Sequence, residues 1–243
     1  MEISIVIPAY NEANRLPDTL EKIVIYLREK KVSFELIAVD DGSKDNTAEI
    51  VLQASKKYPE IRLLRNVRNY GKGYAVRKGV LEARGKYILF TDGDLSTPIT
   101  ELSGLWHAIR EEGFDVAIGS RSLPEAQILV RQPWYRGIFG QFYPSFVHLL
   151  VMNDFLDTQC GFKLFRREAA LRLFSSLKTK GFSFDVEILL RAKNSGYRIK
   201  EIPVIWSNSR ESKVVLWRDP FRMLKELILI KINLLYHKRL NRI

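Results

Sequence analysis

The chain has 243 residues, 46% of them hydrophobic, and a formal net charge of +11. That size and apolar content suit one large domain with a buried core, and the single cysteine, Cys160, excludes an internal disulfide framework and points to a reducing compartment. The basic excess implies an anionic partner, either a phosphorylated substrate or an acidic membrane surface; nucleic acid is not expected, because no zinc finger, helix-turn-helix or RNA-binding aromatic signature is present.

Residues 1–8 (MEISIVIP) read as a buried strand, and 16–30 as a helix with Leu16, Leu20, Ile23, Val24 and Leu27 on one face. A second strand, 34–39, ends at Asp40-Asp41-Gly42-Ser43. Helix 46–58, strand 61–64, helix 73–83, strand 87–90, helix 98–111 and strand 115–119 follow. This alternation predicts an α/β fold: a mainly parallel, Rossmann-like sheet flanked by helices on both faces. Beyond residue 119 the rhythm breaks. Residues 120–135 form a polar, arginine-bearing loop, and 138–152 are apolar but interrupted by Pro144. Then 158–165 reads as a strand, 185–194 as helix, 198–206 as strand and 219–237 as a long leucine- and isoleucine-rich helix. No stretch offers the roughly 18–20 uninterrupted apolar residues of a membrane-spanning helix, and the opening strand pattern leaves no signal peptide expected.

Parallel sheets bind ligands beyond the carboxyl ends of their strands. Three acidic clusters fall at such ends: Tyr10-Asn11-Glu12, Asp40-Asp41 and Asp92-Gly93-Asp94. An Asp-x-Asp at a strand end can give Mg²⁺ or Mn²⁺ one direct and one water-mediated ligand, since these hard ions take a few carboxylates plus phosphate oxygens. The competing reading is an Asp-Gly turn. A carboxylate of Asp40-Asp41 can accept hydrogen bonds from a base or ribose; the alternative is a helix cap by Asp41 or Ser43. In Asn69-Tyr70-Gly71-Lys72-Gly73, glycines before a helix let backbone N–H groups approach a phosphate, and Lys72 adds charge. The segment is not a P-loop, and the dinucleotide pattern G-x-G-x-x-G fails at Val76. His107, His148 and His237 are scattered, so a zinc site is not expected.

The ordered set PAYNE (8–12), VDDGS (39–43), NYGKGYAVR (69–77), TDGDLSTP (91–98), GSR (119–121) and TQCGFKLF (158–165) resembles the family 2 glycosyltransferases of GT-A fold. More narrowly, it is similar to the dolichyl-phosphate β-glucosyltransferases and dolichyl-phosphate mannose synthases. The resemblance implies that Pro8, Tyr10 and Glu12 line a nucleotide pocket with Asp40 and Asp41, that Lys72 and Arg77 lie near the nucleotide or its phosphates, and that Asp92, Gly93 and Asp94 form the metal and diphosphate site. Relatives often carry Asp-Ala-Asp, so Gly93 is a small departure. Arg121, Gln159 and Lys163 fall on the sugar and acceptor side, with an ordinary surface charge as the alternative for Lys163. Arg121, Arg131 and Arg136 suit capture of a lipid phosphate, and Arg210 and Lys213 form a second basic cluster; a solvated basic face is the alternative for each.

Asp185 joins Asp92 and Asp94 as a catalytic candidate. With a phosphate acceptor, whose second pKa is about 6, no obligatory base is needed. Asp185 and Glu187 are therefore expected to orient the acceptor or support the site, or else simply to favour a helix N-terminus. The implied reaction is inverting transfer of a hexose from a nucleotide sugar, UDP-glucose first and GDP-mannose second, to dolichyl or polyprenyl phosphate. Transfer to a glycan hydroxyl is the other alternative. Residues 1–210 would form the catalytic domain, including an acceptor and membrane-interface segment at about 120–152, and 211–243 a basic amphipathic helix region. Phe139, Phe142, Tyr143 and Phe146 would meet the cytoplasmic face of a membrane together with the last helix. Packing on the sheet, or a seam in a homo-oligomer, is the alternative.

Overall fold

A computed structural model of the chain describes residues 1–130, 143, 146–208 and 219–240. The expected alternation is present: β1 (Ile3–Ala9), α1 (Leu16–Glu29), β2 (Phe34–Asp40), α2 (Thr47–Lys57), β3 (Ile61–Arg65), α3 (Lys72–Glu82), β4 (Tyr87–Thr91), α4 (Leu102–Arg110) and β5 (Val116–Ser120). There follow β6 (Gln127–Val130), β7 (Phe162–Arg166), α5 (Arg167–Ser175), α6 (Phe184–Asn194), β8 (Ile199–Pro203), β9 (Ile205–Ser207) and α7 (Asp219–Leu240).

Seven strands form one sheet in the order β3-β2-β1-β4-β7-β5-β8. All neighbours are parallel except β7, which runs antiparallel between β4 and β5. Side chains alternate across a strand, so Ile3, Ile5 and Ile7 of β1 join Leu16, Leu20 and Ile23 of α1 on one face. Val6 points the other way, to Val76 and Val80 of α3 and to a cluster holding Phe165, Phe174 and Phe184. Each such fully buried aliphatic or phenyl side chain contributes about 1.5–3 kcal/mol, and this two-sided burial is why the central strands read as continuous apolar runs. Leu227 and Ile230 fasten α7 to the second cluster.

Several boundaries differ from expectation. The strand expected over 198–206 breaks after Pro203, which has no N–H to continue a ladder; β9 leaves the sheet and pairs in parallel with β6, inside the expected loop. Residues 158–161 are loop, because the Asp157 carboxylate takes the N–H groups of Gln159 and Cys160. The helix expected from 98 opens with a 3-10 turn, Ile99–Glu101. Helix α5 was not anticipated at all.

The antiparallel β7 matters most for the site. Its pairing of Thr91 with Phe162 brings the residues before β7 to the carboxyl end of β4. The loop 157–161 therefore lies beside Asp92.

Candidate active site

Asp92 and Asp94 follow β4 in a tight turn that is held from several sides. Asp92 N–H donates to Gly161 O at 3.2 Å, Leu95 N–H to Asp92 O at 3.3 Å and Ser96 N–H to Asp94 Oδ1 at 3.0 Å. Thr19 Oγ1 on α1 donates to Gly93 O at 2.8 Å. Arg15 bridges the first loop to the turn: its guanidinium lies 2.6 Å from Glu12 and 3.4 Å from Asp94 Oδ2. Position 93 has room for a methyl group, whose nearest neighbour would be Pro8 O at 3.7 Å. An alanine there, as in the Asp-Ala-Asp pattern, fits the same turn.

Lys72 Nζ, at the first turn of α3, lies 2.6 Å from Asp92 Oδ1. Burial opposes its charge, but Asp92, Asp185 and Asp94 together hold its pKa raised. Behind it is a second, fully enclosed pair. Lys163 Nζ donates to Asp185 Oδ1 at 2.5 Å and to Cys160 O at 2.6 Å, and sits 5.2 Å from the Phe90 ring centroid. Lys163 is 0% exposed and Asp185 2%. The surface-charge reading of Lys163 is thus corrected: β7 turns it inward to meet α6. Burial raises the Asp185 carboxyl against the pull of Lys163 and Lys72.

The two aspartates after β2 have separate duties. Asp41 accepts Asn66 Nδ2 at 2.7 Å, Tyr70 N–H at 3.1 Å and Gly71 N–H at 2.7 Å, so its carboxylate organises the loop leading to α3. Asp40 Oδ1 accepts Ser43 N–H at 2.9 Å. Its Oδ2 is buried, 3.3 Å from Arg65 Nε, yet has no hydrogen-bond partner among the described residues. Asp40 is 0% exposed and this oxygen is covered by the exposed Arg65 side chain, so a ligand donor reaches it only when Arg65 moves aside.

The glycines at the start of α3 do other work than expected. Gly71 has φ of 108°, and a Cβ there would lie 2.4 Å from Lys180 O; a Cβ at Gly73 would lie 2.6 Å from Phe184 Cβ. These glycines admit the segment before α6, whose Lys180 O accepts Tyr74 N–H at 3.2 Å. Glu187 holds that segment, accepting Lys178 N–H at 3.1 Å and Thr179 N–H at 2.8 Å. Arg77 turns away to the end of α5, donating to Phe174 O at 2.9 Å and Ser175 O at 3.1 Å. The structure gives it a helix-anchoring contact.

On the other flank Arg121, just beyond β5, is gripped by Asp157: Nε to Oδ2 is 2.6 Å and Nη2 to Oδ1 is 2.8 Å. The guanidinium carbon lies 5.4 Å from the centroid of the Trp206 ring. Gln159 Nε2 is buried with no partner among the described residues. Pro8 and Tyr10 are partly buried on the first loop. Tyr143 packs on the core around Phe184, whereas Phe146 is exposed. Arg131, Arg136, Phe139, Phe142, Arg210 and Lys213 lie outside the described residues. His148 bonds Phe155 O at 2.8 Å, a packing role. Sequence reasoning missed Arg15, Asp157, Gly161 and Trp206; the Asp immediately before TQCGF was the available signal for Asp157.

Asp92 and Asp94 offer hard oxygen donors, and a cation, Lys72, already sits against one of them. No group of three His, Cys, Asp or Glu that could hold a metal occurs among the described residues. Two carboxylates completed by substrate phosphates is the usual arrangement for Mg²⁺, and Mn²⁺ takes the same oxygen ligands, so the site fits either ion.

A sequence model of the glycosyl transferase family 2 matches residues 4–174. The dolichyl-phosphate β-glucosyltransferase of Dictyostelium discoideum is 38% identical over 244 residues, covering 96% of this chain and 75% of that protein. Its namesake in Homo sapiens is 35% identical over 246 residues, covering 96% and 76%. Among solved structures, glucosyl-3-phosphoglycerate synthase from Mycobacterium tuberculosis, in complex with Mn²⁺, UDP and phosphoglyceric acid, superimposes with a TM-score of 0.69 at 19% identity, covering 94% of this chain and 76% of that one.

Proposed function

The chain belongs to glycosyl transferase family 2 and has the GT-A fold, and we propose that it moves glucose from UDP-glucose to the phosphate of a dolichyl or polyprenyl lipid with inversion. The glucose and the dolichyl phosphate come from what the relatives are named for. The observation that carries a phosphate acceptor is the state of Asp185. A hydroxyl acceptor needs an accessible base, but Asp185 is 2% exposed and engaged by Lys163 at 2.5 Å. A lipid phosphate is already anionic near neutral pH and attacks without one.

In this reading Arg65 moves off Asp40 Oδ2 to admit a hydrogen bond from the base, and Tyr10 and Glu12 border the nucleotide. Lys72 brings positive charge to the diphosphate beside Asp92. Mg²⁺ or Mn²⁺ held by Asp92 and Asp94 would neutralise charge on the departing nucleoside diphosphate. Arg121 and the Gln159 amide present donors to the acceptor, with Arg131, Arg136, Arg210 and Lys213 as further cations. Lys163 and Asp185 brace the floor between the two halves.

We place the site of action at the cytoplasmic face of a membrane; helix α7 supports the membrane surface. Phe221, Ile228, Leu229 and Ile232 are exposed on it, interleaved with exposed Arg222, Lys225 and Lys231. The cations suit anionic lipid and the apolar side chains have surface to bury, although the two are mixed on one face and not segregated as on a typical interfacial helix. Among the described residues no helix is long and apolar enough to cross a membrane.

The donor is tested by titrating UDP-glucose and GDP-mannose, each with Mn²⁺, in a calorimeter. Tighter binding of UDP-glucose is expected. Binding of GDP-mannose alone would replace the glucosyl assignment with a mannosyl one.

A further inference from the structure

The acceptor-side arginine is built into the same hydrogen-bonded circuit as the metal-site aspartates. The antiparallel β7 makes this possible, because the loop before it spans from the end of β4 to the end of β5. At one end of that loop Gly161 O accepts Asp92 N–H at 3.2 Å. At the other, Asp157 accepts Nε and Nη2, one edge of the Arg121 guanidinium, and the Arg121 backbone N–H, at 2.6, 2.8 and 2.9 Å. The same carboxylate ties down Gln159 N–H at 3.0 Å and Cys160 N–H at 3.1 Å. Glu201 on β8 holds the loop from behind, accepting Leu156 N–H and Asp157 N–H at 2.9 Å each.

The circuit closes through Trp206. Arg121 lies over its ring at 5.4 Å. Its neighbour Ser207 donates N–H to Ser96 O at 2.8 Å, and Ser96 donates to Asp94 Oδ1 at 3.0 Å. Arg121 is thus connected to Asp92 through 157–161 and to Asp94 through β9. Asp157 is 5% exposed and is spent entirely on protein groups.

We propose that Asp157 is a positioning residue: it fixes Arg121 at a set distance from Asp92 and Asp94, and so sets the spacing between acceptor phosphate and donor diphosphate. The proposal rests on the functional reading above, in which Arg121 meets the lipid phosphate. A bidentate carboxylate–guanidinium pair has strict geometry, and a displacement of about 1 Å at a reacting pair is enough to cost about 100-fold in rate.

The test is steady-state transfer by full-length wild type, Asp157→Asn, Arg121→Lys and the double variant. Asp157→Asn is expected to lower kcat about 100-fold and to raise the KM for polyprenyl phosphate about tenfold, while the KM for nucleotide sugar stays within about twofold. The double variant is expected to be no worse than Arg121→Lys alone, since both act on one interaction. Additive losses, or a donor KM that rises in step with the acceptor KM, overturn the proposal. If Asp157→Asn does not fold, Glu201→Gln frees the same loop and is expected to lower kcat and raise the acceptor KM without moving the donor KM; no change also overturns it. If wild type transfers nothing to polyprenyl phosphate, the functional reading fails instead. The clamp is then read from the Arg121 Nε–H signal by NMR: exchange slow in wild type and fast in Asp157→Asn supports it, and equal rates refute it.

Discussion

Gly161→Ala separates the site from its scaffold. A Cβ at Gly161 would lie 2.1 Å from Asp92 Oδ2, 2.5 Å from Cγ and 2.8 Å from Oδ1, where ordinary contact begins at 3.4 Å. The Asp92 carboxylate must therefore retreat by about 1 Å, a shift that costs about 100-fold in rate at a reacting centre. The obstructed group is the end of a rotatable, partly exposed side chain, and the backbone φ at Gly161 is not in the left-handed region. The chain can relieve the clash by turning Asp92, with a stability change of about 1 kcal/mol or less. Turning Asp92 breaks its contact with Lys72 and misplaces one of two metal-site carboxylates. The expected result is a melting temperature within a few degrees of wild type, kcat lower by about 100-fold and a higher Mn²⁺ requirement. The assays are thermal unfolding and hexose transfer over a Mn²⁺ series. Near-wild-type kcat with unchanged Mn²⁺ dependence would show that Gly161 does not place Asp92, and loss of folding would show that the clash is not relieved at the side chain.

Lys163→Met leaves Asp185 buried without its partner and is expected to destabilise the protein by about 3–5 kcal/mol in urea unfolding, with much of that recovered by adding Asp185→Leu; a loss below about 1 kcal/mol contradicts the buried pair. Asp40→Asn is expected to raise the KM for nucleotide sugar about tenfold with little change in kcat, and an unchanged KM removes Asp40 from the base contact. Burial pushes the Asp157 carboxyl up, but Arg121 holds it down at about 2, below its ordinary 3.8. A depressed carboxylate stabilises the fold above the unfolded pKa and ceases to do so as pH falls through the folded one. Asp157 thus contributes about 2 kcal/mol at pH 7 that disappears between about pH 4 and 2. The stability gap between wild type and Asp157→Asn should narrow over that window in urea titrations, and a gap independent of pH contradicts the assignment.

The first half of the fold was readable because buried parallel strands and amphipathic helices carry strong local patterns. Leu16, Leu20, Ile23, Val24 and Leu27 of α1 are all buried as their spacing requires. Asp92-Gly93-Asp94 and Asp40-Asp41 were visible as acidic ends of apolar runs. What was hidden depends on pairing between distant segments. Nothing in TQCGFKLF says that β7 runs antiparallel between β4 and β5, so the burial of Lys163 against Asp185 and the pressure of Gly161 on Asp92 had no local signature. The glycines at 71 and 73 looked like a phosphate cradle because phosphate and a neighbouring carbonyl segment make the same demand, the absence of a Cβ. Arg77 looked like a phosphate ligand because its partners, Phe174 O and Ser175 O, belong to a helix that the pattern did not reveal.

In the proposed reaction a lipid phosphate, at a site built on Asp92 and Asp94, receives the hexose. The most direct measurement is incubation of the purified protein with UDP-[¹⁴C]glucose and polyprenyl phosphate, with Mn²⁺ or with excess chelator, followed by solvent extraction and mild acid treatment. Label is expected in the lipid phase with Mn²⁺, released as free glucose by mild acid, and none with chelator or with Asp92→Asn. Label that stays out of the lipid phase with this donor and with GDP-mannose, or that enters an acid-stable glycan instead, would contradict it.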